Sequence, residues 1–170
     1  DYAEKKAGLA EAMTDRLRRL GLDVESVAIN AADDFAKEQI YLTVSGTSAE
    51  AGDDGQVGRG NRATGLITPY RPMTLEATAG KNPVTHVGKL YSEAAQALAE
   101  RLVSTMRGIE AAECYLVSSI GRPIESPFAV DVRVKLRDGA LLDSALRRRV
   151  DDITDETLAA LKDAWQRFIG

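Results

Sequence analysis

A chain of 170 residues with 44% hydrophobic and 28% charged residues is long enough to bury a core and lies far from the composition of disordered chains. Its net charge of −4 argues against binding nucleic acid through an overall basic surface. A single cysteine, Cys114, excludes an intrachain disulfide and a cysteine-rich zinc site. No apolar run approaches the ~20 residues of a bilayer span, and the N-terminal DYAEKKAGLAEAM has no signal-peptide core. A soluble, cytoplasmic protein with no membrane or nucleic-acid partner is expected. The sequence starts at Asp1 without an initiator methionine and enters a helical pattern at once, which suggests a trimmed or partial chain.

Leu9, Met13, Leu17 and Leu20 recur at helical spacing, and Gly21 stands where a helix C-terminal glycine belongs, so residues 2–20 read as an amphipathic helix. Val27 and Ile29, then Ile40, Leu42 and Val44, alternate with smaller or polar residues and predict two short strands around the polar turn AADDFAKE. Residues 46–82 are rich in Gly, Thr, Pro and charge, long for a connection inside a compact domain, with a short strand at 65–67. Asn82 and Pro83 read as the N-cap and first position of a second helix, which Val87, Tyr91, Ala94, Leu98 and Leu102 carry to about residue 107. Strands follow at 113–120 and at 130–136, the second alternating cleanly through Val130, Val132, Val134 and Leu136. A last helix places Leu158, Leu161, Trp165 and Phe168 on one face.

The element order predicts an α+β fold, a two-layer α/β sandwich on a mixed or antiparallel sheet. Three segments are expected: a helix-strand-strand unit at 1–50, a glycine-rich loop region at 51–82, and a helix-strand-strand-helix unit at 83–170.

Two segments carry candidate chemistry. GDDGQVGRGNR, residues 52–62, lacks the Lys-Ser/Thr of a Walker loop and the glycine spacing of a dinucleotide fingerprint. Its glycines, Arg59 and Arg62 suit phosphate, and Asp53 and Asp54 suit Mg²⁺; taken alone, so short a stretch reads rather as a solvated turn. In AGKNPVTHVGK, Lys81, His86 and Lys89 gather at a helix start, where the helix dipole also favours anions; a structural histidine and two solvated lysines account for the same residues. The only histidine, His86, has no serine or cysteine in a nucleophile elbow to serve. Arg71 and Glu76 between the two segments fit either a polar site or a surface pair. Arg147, Arg148 and Arg149 are followed by Asp151 and Asp152 without interleaved aromatics, so they read as an exposed helix face rather than a nucleic-acid stripe.

The run GTSAEAGDDGQVGRGNRATGLITPYRPMTLEATAGKNPVTHVGKLY, with INAADD before it and SSIGRPIESP after it, resembles the signature region of archaeal-type methionine adenosyltransferases, also called S-adenosylmethionine synthetases. The resemblance covers most of the chain and is strongest over residues 41–91. It implies the repeated α/β domains of that family and a reaction in which methionine sulfur attacks C5′ of ATP and expels triphosphate, which is then hydrolysed to phosphate and pyrophosphate.

In the bacterial and eukaryotic branch the corresponding loop reads like GDCGLTGRK. By position Asp53 matches its aspartate and Arg59 its arginine, both as substrate and phosphate contacts; Gly60 replaces its lysine, with Arg62 the nearest basic substitute. Lys81 matches the lysine of GKDP. Beyond it the match loosens, and His86 and Lys89 are taken as replacements, with Lys81 and His86 in the catalytic role, Lys89 on phosphate and Asp54 as a metal ligand. The resemblance further implies Mg²⁺, with K⁺ as a second cation, ATP and L-methionine as substrates, and a homodimer or a complementary N-terminal subunit. It also implies that the isolated chain, without the N-terminal portion of the family, is inactive or nearly so. The alternative is a non-catalytic nucleotide-binding or subunit-interaction domain of the same ancestry.

Overall fold

The computed structural model describes residues 1–43, 61–67, 70–74, 77–84 and 86–168. Asp53, Asp54, Arg59, Gly60 and Glu76 lie outside the described residues. The chain divides into two compact units, Asp1–Ala49 and Glu50–Gly170.

In the first unit, helix α1 spans Tyr2–Arg19. It ends as its sequence dictates: Gly21 takes φ +79°, its N–H donates to Arg18 O at 2.9 Å, and Leu22 N–H donates to Leu17 O at 3.2 Å. These two bonds form the paired closure in which a left-handed glycine satisfies the last carbonyls. The AADDFAKE turn is present as a 3-10 turn, Phe35–Lys37, started by the Asp34 carboxylate, which accepts from Ala36 N and Lys37 N. Among the described residues, the flanking strands expected at Val27, Ile29, Ile40 and Leu42 do not form; Val44, the end of the second, lies outside the described residues. The described part of this unit contains one isolated bridge, Asp34 with Gln39, and a strand without a neighbouring strand has no ladder to complete its backbone hydrogen bonds.

A polar cluster fastens α1 to the following segment instead. The Asp33 side chain, 2% exposed, accepts from Tyr2 Oη and Lys6 Nζ, each at 2.7 Å, and from Tyr41 N at 2.9 Å. Asn30 Nδ2 donates to Tyr2 Oη at 2.8 Å, and Lys6 Nζ also donates to Asn30 O at 2.9 Å. A carboxylate this enclosed is tolerated because its oxygens are bonded and a cation faces it.

The second unit holds helix α2, Val87–Thr105, strands β1, Ile109–Val117, and β2, Ala129–Leu136, and helix α3, Ser144–Ala159, continued by a 3-10 segment, Ala160–Phe168. The strands pair antiparallel, with Cys114 opposite Val132 and Leu116 opposite Val130, and an irregularity between Ile109 and Ala111. Alternation then sorts the sheet into two faces. Ala112, Cys114, Val132, Val134 and Leu136 pack with Leu98, Leu102, Met106, Ile109 and Ile153, while Glu113, Asp131, Arg133 and Lys135 are exposed on the other face. The fold is α+β, an antiparallel hairpin covered on one face by helices. β1 begins and ends earlier than the alternation suggested, because Met106 turns extended directly after α2 and Ile109 enters the core at once.

Two helix boundaries also differ from expectation. Asn82 and Pro83 form a separate turn ahead of α2, in which Asn82 Oδ1 accepts from Val84 N at 2.9 Å and Asn82 O accepts from His86 N at 3.0 Å. The cap of α2 is therefore His86. At the other end, α-helical periodicity stops at Ala159. In the 3-10 segment three residues make a turn, so Leu161 stacks over Ala164, and Trp165 and Phe168 share a face about 120° away. Leu161 and Ala164 are buried, whereas Trp165 and Phe168 are exposed. Together with Leu90 and Tyr91 of α2, Leu161 and Ala164 form a second apolar cluster. Arg147, Arg148 and Arg149 lie exposed in the first turns of α3, whose N-cap Asp143 accepts from Ala145 N and Leu146 N.

Candidate functional site

The chemistry-bearing residues of the described chain converge where residues 77–89 enter α2. Ala77 and Thr78 are buried and anchor the segment, and Gly80, at φ +79°, makes a reversal that a side chain would strain. Lys81 follows, then the Asn82 turn, then His86 at the N-cap. This folding back places Lys81 against the first turn of the helix, where Lys89 Nζ donates to Lys81 O at 3.1 Å. The Lys89 ammonium also lies 4.9 Å from the centre of the Phe168 ring. His86 is folded over the same turn: a Cβ at Gly88 would fall 3.1 Å from His86 Cε1 and 3.2 Å from Nδ1. The absence of a side chain at Gly88 thus gives the imidazole its place.

Three of the expected site residues, Lys81, His86 and Lys89, are in this way brought together on one turn and the helix start behind it. The Lys89 ammonium beside the positive end of an α-helix of 19 residues favours an anion. Arg62 belongs to a different local turn. Its N–H donates to Leu66 O at 3.1 Å, Gly65 N–H donates back to Arg62 O at 2.8 Å, and its guanidinium Nε donates to Thr74 O at 2.8 Å. This turn replaces the short strand expected at 65–67, and Gly65 at φ +78° closes it. Arg71 is exposed.

Next to the α2 start is a cavity of about 280 Å³ lined by Pro83, Val87 and Tyr91 on one side and Ser119, Ile120 and Arg122 on the other. Tyr91 fixes its wall, donating from Oη to Ile124 O at 2.8 Å. Burial, and secondarily the Glu125 carboxylate, push the Tyr91 hydroxyl above its ordinary range, partly opposed by Arg122, so Tyr91 remains a donor. Ser119 and Arg122 come from SSIGRPIESP, a segment the sequence marked without singling out a side chain. α-Helical spacing placed Phe168 on one face with Leu161 and pointed to no role of its own for it. Burial pushes the Cys114 thiol up to about 11, which disfavours the thiolate. Among the described residues no three His, Cys, Asp or Glu side chains gather to hold a metal ion.

Comparison with known proteins assigns the ancestry of the chain. A family profile described as S-adenosylmethionine synthetase (AdoMet synthetase) matches residues 1–170. The chain is 47% identical over 169 residues to a protein of Aquifex aeolicus named probable S-adenosylmethionine synthase, covering 99% of this chain and 42% of that protein. It is 45% identical over 161 residues to the S-adenosylmethionine synthase of Sulfurisphaera tokodaii, covering 94% and 40%. To the S-adenosylmethionine synthase of Haloquadratum walsbyi it is 44% identical over 169 residues, covering 99% and 42%. The chain spans about two fifths of the length of these curated relatives. With the full length of the chain inside the family profile and identities of this size, the chain belongs to the S-adenosylmethionine synthetase family.

Proposed function

We propose that these residues form part of a methionine adenosyltransferase, which makes S-adenosylmethionine from ATP and L-methionine and releases phosphate and pyrophosphate. The observation that carries the reading is the convergence of Lys81, His86 and Lys89 at the start of α2, in a chain whose relatives are named for that synthesis. Displacement at C5′ by the methionine sulfur breaks the C5′–O bond and leaves its electron pair on the triphosphate. Such a step asks the protein for alignment and for positive charge where the leaving oxygen gathers negative charge.

Lys89 supplies a held cation and Lys81 a second one, the N–H groups at the start of α2 supply a third positive element, and His86 stands over that turn as a donor to the polyphosphate. Asp53, Arg59 and Arg62 complete the proposed substrate contacts. Mg²⁺ and K⁺ are proposed to accompany ATP, with Asp54 as a metal ligand. Bound Mg²⁺ would neutralise polyphosphate charge. A homodimer or a complementary N-terminal subunit is the proposed partner.

Coupled phosphate release with ATP, methionine and Mg²⁺ tests the reading in the full-length protein. Lys81→Met is expected to lower kcat/KM by about 100-fold, the order found on removing one preorganised donor from a developing charge. Turnover by the Lys81→Met variant at the parent rate sinks it. ATP binding without turnover by the parent would favour a non-catalytic nucleotide-binding domain.

A further inference from the structure

We infer that Phe168 is a positioning residue for the Lys89 ammonium, holding that cation in the orientation in which it meets a polyphosphate. The inference rests on the proposed function for the identity of the anion, and on the structure for the contact itself.

A lysine side chain is a flexible stem carrying a compact, strongly hydrated charge, and fixing it costs more rotamer entropy than most residues lose. Something must therefore hold Lys89 if it is to act as a placed cation. Two contacts do so here. Lys89 Nζ donates to Lys81 O at 3.1 Å, and the Phe168 ring centre lies 4.9 Å away, within the range at which the negative face of an aromatic ring attracts an ammonium. Both holding groups are uncharged. Among the described residues no carboxylate pairs with Lys89. The side chain is thus oriented while its full positive charge, and the donors not used on Lys81 O, remain available to an anion. A carboxylate in place of the ring would fix the lysine equally well and cancel the charge that a phosphate needs.

The placement of Phe168 follows from the change of helical period. Continued as an α-helix, the segment after Ala159 would set Phe168, seven residues beyond Leu161, almost in line with it and beneath the same apolar cluster. The 3-10 segment Ala160–Phe168 instead keeps Leu161 and Ala164 in the cluster with Leu90 and Tyr91 and turns Phe168 aside. Leu161 is 2% exposed and Phe168 40%, so burial alone does not account for a phenylalanine at this position. What its ring meets is Lys89, on the turn of α2 next to Leu90.

The test is a double-mutant cycle in the full-length protein, read by tripolyphosphate binding in calorimetry, with variants F168L, F168W, K89M and the F168L/K89M pair. F168L preserves an apolar side chain but has no π face, and F168W keeps one. Tripolyphosphate affinity is expected to fall about 2- to 5-fold in F168L, the range of a cation–π contact at a partly exposed site, to remain near the parent in F168W, and to show no further loss when F168L is added to K89M. In the free protein the Lys89 ε-methylene protons are expected to resonate upfield through the ring current and to lose that shift in F168L. Equal losses in F168L and F168W, or an undiminished F168L effect in the K89M background, would show a merely structural role and overturn the inference. A parent that forms S-adenosylmethionine while F168L binds tripolyphosphate like the parent overturns the role of Phe168 alone. A parent without S-adenosylmethionine formation overturns the functional reading and the inference with it.

Discussion

At Gly88 a single hydrogen atom decides where a ring sits. The His86 imidazole lies where a Cβ on Gly88 would approach to 3.1 Å, a separation that real Cβ atoms seldom show. In a helix interior alanine in place of glycine adds about 1 kcal/mol of stability through backbone entropy and propensity, and in the first turn, where Gly88 stands, less, so Gly88→Ala separates two effects. Its melting temperature is expected to stay near that of the parent or rise, while kcat/KM for ATP falls, by up to about 100-fold if displacing the imidazole misaligns the reacting groups. Steady-state kinetics beside thermal melting checks this, and unchanged kinetics would remove His86 from the proposed site. The closeness of Lys81, His86 and Lys89 was legible from the sequence because a helix start brings together residues that are already near one another along the chain. Phe168 was not legible, since it reaches Lys89 only through the change of period after Ala159, which apolar spacing alone does not reveal.

Between elements, the Asp33 cluster shows why the sequence misled about residues 27–42. Alternating Val27, Ile29, Ile40 and Leu42 resembled two strands, yet the described backbone is held by side chains of α1: Tyr2 and Lys6 reach Asp33, and Asp33 in turn accepts from Tyr41 N. Alternation records a preference for extended backbone; it does not supply the neighbouring strand that makes a ladder. The cluster also sets a pH response. The hydrogen bond from Lys6, ahead of those from Tyr2 and Tyr41, holds the Asp33 carboxyl below its ordinary range despite the opposing effect of its burial. A carboxyl lowered on folding stabilises the folded form above its unfolded pKa of about 4, and that contribution is lost as pH falls through the lower folded value. Amide exchange at Tyr41 N–H, compared with a reference amide in α1, is therefore expected to accelerate as pH drops below about 4. Asp33→Asn should exchange faster at neutral pH and lose that acid dependence; a parent whose Tyr41 protection is flat across this range would contradict the assignment. The helices and strands of the second unit were read more closely, because Leu98, Leu102, Val132 and Val134 combine strong periodicity with a neighbouring element against which to pack.

Across the molecule, the described core of the second unit is not one cluster but two that share α2, and they need not matter equally for function. Leu98, Leu102, Met106, Ile109 and Ile153 join the later turns of α2 to the hairpin and α3. Leu90, Tyr91, Leu161 and Ala164 join its first turns to the 3-10 segment that carries Phe168. Leu98 is 0% exposed and Leu161 2%, so truncating either to alanine removes comparable apolar contact and leaves a cavity. Each is expected to cost about 2–5 kcal/mol in urea unfolding. Their catalytic consequences should differ. Leu98→Ala loosens packing away from the Lys81–Lys89 turn, so the fraction still folded should retain the parent KM for ATP. Leu161→Ala loosens the support on which Phe168 and the first turn of α2 both rest, so KM should rise several-fold even at temperatures where the variant remains folded. If both variants lose stability and neither changes KM, the second cluster is a core like the first and the site stands independently of it; if both change KM alike, stability alone governs the site. A rise in KM confined to Leu161→Ala would establish that the 3-10 segment serves the start of α2, a link between distant parts of the chain that no local sequence pattern could have announced.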